Sequence, residues 1–73
     1  MKNRIELVTM SDVTEFVNAV SQVEGEVYLE DKNRKFKVSA KSMLACLLSQ
    51  AEWSEVWVVS ETDCYEIIKK WVI

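Results

Sequence analysis

The 73-residue chain contains no histidine, no proline and a single glycine, Gly25. Each absence removes a class of chemistry. Without histidine, neither imidazole catalysis nor histidine-centred metal ligation is available. Without glycine-rich loops there is no backbone cradle for a nucleotide phosphate, and no flexible linker divides the chain. The two cysteines, Cys46 and Cys64, lack a metal-ligand spacing and read as buried free thiols. No apolar run approaches the ~20 residues of a membrane helix, and the first residues do not resemble a signal peptide. A cytoplasmic protein without metal or cofactor is therefore expected, with no membrane partner. The net charge of −3 argues against nucleic acid, whose phosphates dominate such affinities.

What is present is the composition of a folded domain, 49% hydrophobic and 29% charged. One domain spanning 1–73 is expected. A chain of ~60 residues buries only roughly 60% of its unfolded surface, so there is little core to spare for a deep substrate cavity. There is no histidine, glycine-rich loop or cofactor signature, chemistry from scattered carboxylates is improbable, and an enzyme is not expected.

Periodicity gives the order of elements. Ile5 and Leu7 alternate with Arg4 and Glu6, a short strand over 2–8. Ser11 is the expected N-cap of a first helix, with Asp12 and Glu15 in its first turn. Val13, Phe16, Val17, Val20 and Val23 follow at helical spacing. These residues are mostly β-branched and weak helix formers, so this helix depends on packing its stripe against a sheet. Gly25 fits its C-terminal exit. The period then becomes two: Val27 and Leu29, the polar turn Asp31-Lys32-Asn33-Arg34, then Phe36 and Val38 make a hairpin with one apolar face. Its outward lysines, Lys35 and Lys37, suit either an acidic partner or, the preferred reading, protection of an edge strand.

Ser42 caps a second helix in which Met43, Leu44, Leu47 and Leu48 crowd every side, so some of them must stay at the surface. A strand over 55–60 is apolar enough to be central. The last helix places Tyr65, Ile68 and Trp71 on one face, with Ile67 and Val72 alongside, and pairs Glu66 with Lys70. Trp53 reads as a loop anchor and Trp71 as a core residue. The order is β-α-β-β-α-β-α, an α+β fold with helices on one face of the sheet.

This order, with the run Val38-Ser39-Ala40-Lys41-Ser42-Met43-Leu44, resembles the histidine phosphocarrier protein (HPr) family of the bacterial sugar phosphotransferase system. The family's motif there is Lys-Ser-Ile-Met-Gly. Lys41 and Ser42 match it, Met43 and Leu44 match in kind, and Ala45 replaces the glycine. The resemblance implies an open-faced β-sandwich: a four-stranded antiparallel sheet in the order 1-4-2-3 with three helices on one side. In that family a phosphoacceptor histidine, closely followed by arginine and proline, opens the first helix. Those positions fall here on Thr9, Ser11 and Asp12, so phosphoryl transfer through histidine is excluded.

The resemblance also makes Ser42 a candidate for regulatory phosphorylation, and it implies that protein partners dock on Met10, Met43, Leu44 and Leu47. Such a partner would be a regulator, a transporter or an enzyme of the phosphotransferase kind. Cap chemistry alone also accounts for Ser42, and Leu44 and Leu48 could simply fill the core. The alternative is a structural or dimerising module using the open sheet face around Tyr28 and Trp57. A monomer or a weak homodimer is expected.

Overall fold

A computed structural model describes residues 1–73. Strands β1 (Lys2–Ile5), β2 (Val27–Asp31), β3 (Lys37–Ser39) and β4 (Val56–Ser60) form one antiparallel sheet in the order β1-β4-β2-β3. Helices α1 (Met10–Ser21), α2 (Met43–Glu52) and α3 (Tyr65–Ile68) complete the βαββαβα order, and a 3₁₀ turn follows at Lys69–Trp71. The central position of β4 follows from its sequence. Val56, Val58 and Ser60 are buried, while Trp57 and Val59 turn half-exposed to the other face.

The core lies between the helices and the inward side chains of the sheet. Val13, Phe16, Val17, Val20 and Val23 are all buried, against Ile5, Val27, Leu29, Val56 and Val58. Trp71 closes one end of this layer, edge-on to Phe16 with ring centroids 5.5 Å apart. Cys46 is fully buried among these residues, and Ser49 beside it donates to the Cys46 carbonyl at 2.9 Å.

Several boundaries differ from those expected, each for a local reason. The N-cap of α1 is Thr9, not Ser11. Thr9 Oγ1 accepts from the Asp12 N–H at 3.1 Å, and Asp12 Oδ2 accepts from the Val8 and Thr9 N–H groups at 3.0 and 3.2 Å. Only Thr9 has a carboxylate three residues on to complete this reciprocal cap; from Ser11 that position is Thr14, which donates to the Met10 carbonyl instead. Helix α1 ends at Ser21 with Gln22 as its C-cap, so Gly25 shapes the following turn and not the helix exit. Its φ of +82° is the left-handed conformation that glycine adopts without strain.

Strand β1 stops at Ile5 because its partner β4 begins opposite it, at Val56. The C-terminal segment takes over there: Glu6 N–H donates to the Trp71 carbonyl, and Ile73 N–H to that of Arg4. Phe36 lies before β3 and is exposed. Helix α3 is a single turn that leaves Tyr65 and Ile67 exposed while Ile68 is buried. Glu66 pairs with Lys69 at 2.7 Å, and Lys70 reaches Glu15 on α1 at 2.6 Å. No helix is long and apolar enough to cross a membrane.

Candidate functional site

Ser42 stands in an extended conformation at the head of α2, with φ −94° and ψ 119°. Its Oγ accepts from the Ala45 N–H at 3.2 Å, and its carbonyl accepts the first helical bond, from Cys46. The hydroxyl is thus a helix cap, half-buried at the mouth of a groove. Lys41 beside it points away from that groove. Its Nζ donates to the carbonyls of Val23 and Gly25, both at 2.8 Å, tying the α1–β2 turn to the start of α2. Both residues of the Lys-Ser pair therefore hold the backbone in place.

The apolar residues of α2 divide between core and solvent. Met43 and Leu47 are half-buried and packed against the core, while Leu44 and Leu48, one turn apart, are 66% and 52% exposed. They form one wall of a groove of about 350 Å³, with Phe36 and Val38 opposite and Trp53 and Glu52 at its end. Phe36 is itself 59% exposed and stacks on Trp53, ring centroids 6.5 Å apart and 18° from parallel. Phe36, Leu48 and Trp53 were not visible as a site in the sequence. Alternation placed Phe36 toward the core, but the ladder ends before it, where no helix covers it. The signal was the apolar surplus of α2, which one core face could not absorb.

Thr9 and Asp12 build the reciprocal cap of α1, and Ser11 and Met10 are exposed in its first turn. Asp12 also accepts from Trp71 Nε1 at 3.4 Å. The Val8 N–H first, then that of Thr9, hold its carboxyl below the ordinary value of 3.8. Asp12 Oδ2 is taken by the Val8 and Thr9 N–H groups, its Oδ1 by Trp71 Nε1, and Thr9 Oγ1 by the Asp12 N–H.

Tyr28 and Trp57 are half-exposed on the open face of the sheet, each beneath a lysine. Lys37 Nζ lies 4.4 Å from the Tyr28 ring centre and Lys2 Nζ 5.5 Å from that of Trp57. Lys2 also pairs with Glu30 at 3.5 Å, and Trp57 Nε1 donates to Glu55 at 3.1 Å. The face is covered by its own charges.

Both thiols are free and buried. Burial pushes Cys46 up to about 11, and its Sγ donates to the Ala40 carbonyl at 3.3 Å; burial likewise raises Cys64. No three cysteine, aspartate or glutamate side chains converge as a metal site. Comparison with protein-family models, with curated proteins and with solved structures finds no match.

Proposed function

We propose that this chain is a non-catalytic, HPr-like regulatory domain, unable to act as a histidine phosphocarrier, that docks another protein through the exposed side of α2. Ser42 is its control point. The observation that carries this reading is the exposure of Leu44, Leu48 and Phe36 around one groove with Ser42 at its mouth. Apolar side chains gathered in this way on a small domain mark an interaction surface. The partner is a regulator, a transporter or a phosphotransferase-like enzyme in the cytoplasm, and no cofactor takes part. The strand order and the Lys41-Ser42 pair at the head of α2 support the family reading.

A phosphate on Ser42 would sit among the unpaired N–H groups at the positive end of α2, where negative charge is favourable. It would alter the groove without unfolding the helix. The rival surface, around Tyr28 and Trp57, is less suited because lysines already occupy both rings.

Site-specific photo-cross-linking in the native host separates the two surfaces. A photoreactive phenylalanine analogue in place of Leu48 is expected to give a discrete adduct with a second protein, and the same analogue in place of Trp57 none. An adduct between two copies at position 57, with nothing at 48, would establish the dimerising module instead.

A further inference from the structure

We infer that the groove beside α2 takes an extended segment of a partner protein, in which apolar and acidic residues alternate, added as a fifth strand on the free edge of β3. The inference rests on the docking reading and names the chemistry of the occupant. Three observations converge on it.

The first is an open edge. β3 is paired on one side only, with β2. Flanking it, Asp31 N–H donates to the Phe36 carbonyl and Ala40 N–H to the Val27 carbonyl. Because an antiparallel ladder alternates, the Val38 peptide groups face β2, and those of Lys37 and Ser39 face outward. The Ser39 carbonyl is taken by the Ser42 N–H at 3.2 Å. The N–H and carbonyl of Lys37 and the N–H of Ser39 remain for an incoming strand.

The second is where that strand's side chains would go. Alternate residues of an added strand share a face with Val38, and that face opens on the groove between Phe36, Leu44 and Leu48. The others would lie on the open face of the sheet beside Lys37.

The third is charge. Five of the nine basic residues, Lys32, Arg34, Lys35, Lys37 and Lys41, fall between positions 32 and 51, and none of the twelve acidic residues does. On a chain of net charge −3, this stretch is basic. Lys41 is turned to the Val23 and Gly25 carbonyls and Glu52 stands at the far end of the groove, so Lys37, Lys35 and Arg34 beside β3 carry the charge that an added strand would meet. It selects an acidic partner and disfavours a second copy, since pairing β3 with itself would bring Lys37 of both copies together.

The probe is a short blocked peptide of alternating valine and glutamate, titrated into the intact protein while amide hydrogen exchange is followed by NMR. Exchange at Lys37 and Ser39 is expected to slow by about tenfold at saturation, with Val38 unchanged. Methylating the peptide nitrogens that face β3 should weaken binding by about tenfold per net hydrogen bond lost. Replacing glutamate by lysine should abolish binding, as should Leu48→Lys, a change at an exposed position that leaves the core intact.

Absence of protection at Lys37 and Ser39 would overturn the inference, as would equal binding of the methylated peptide or of the lysine peptide. Protection that rises with protein concentration alone would make the occupant a second copy. If cross-linking at position 48 captures a partner while the peptide fails these tests, docking on α2 stands and strand addition falls.

Discussion

At Asp12 one carboxylate joins three parts of the chain: the loop before α1, the first turn of α1, and Trp71 near the C-terminus. Its acidity is raised by backbone donors at the exposed rim, so its contribution depends on pH. The folded value lies below the ordinary 3.8, so the stabilisation is complete above that pH and is lost as the pH falls through the folded value. Asp12→Asn keeps an acceptor oxygen but loses the charge. Thermal unfolding should therefore find it less stable than the parent at neutral pH, with the gap closing toward pH 3.8 and below. A gap independent of pH would mean that the charge contributes nothing. Ser42 offers a parallel test without titration. Ser42→Ala removes the cap on Ala45 and should cost about 1 kcal/mol, a fall of about 4–8 °C in Tm. Ser42→Asp, an equally good cap, should retain full stability. That pair of results would show that negative charge at this helix end leaves the fold intact.

Among the elements, the α1–β2 turn and the head of α2 are coupled by Lys41. Two charge-assisted bonds, to Val23 and Gly25, hold a turn with few other constraints. Lys41→Met should lower stability by about 1–2 kcal/mol in urea unfolding, discounted for partial exposure. Exchange of the amides around Gly25 should quicken at the same time. The contrast between what sequence reasoning reached and what it missed falls at this scale. The valine stripe of α1, the alternation in β2 and β4 and the Ser42 cap were legible because each is a local pattern with one burial solution. The cap at Thr9 is equally local, set by the carboxylate three residues on, but Ser11 offers a rival cap residue beside it. The short β1 depends on the distant C-terminal segment, Trp71 and Val72 in particular. The groove was half legible. Excess apolar residues in α2 announced an exposed side, but only the packing shows that Leu44 and Leu48, not Met43 and Leu47, occupy it.

For the whole molecule, the sheet divides two kinds of surface. One face carries the helices and ends in the apolar groove; the other is covered by lysines over Tyr28 and Trp57 and by ion pairs to Glu30 and Glu55. Charge is uneven as well: five of the nine basic residues lie between positions 32 and 51, around β3 and the head of α2, with Asp31 and Glu52 bounding that stretch. Clustered charge of one sign raises the local concentration of oppositely charged ligands, an effect that salt weakens. A phosphate on Ser42 would place new negative charge in that basic stretch, a local change with consequences for partner choice.

That claim is tested most directly by the intact mass of the protein after incubation with an HPr kinase and ATP, beside Ser42→Ala and a competent HPr as controls. The account predicts one added phosphate on the parent chain and none on Ser42→Ala. An unchanged mass, with the control HPr fully modified, would contradict it and leave Ser42 as a helix cap alone.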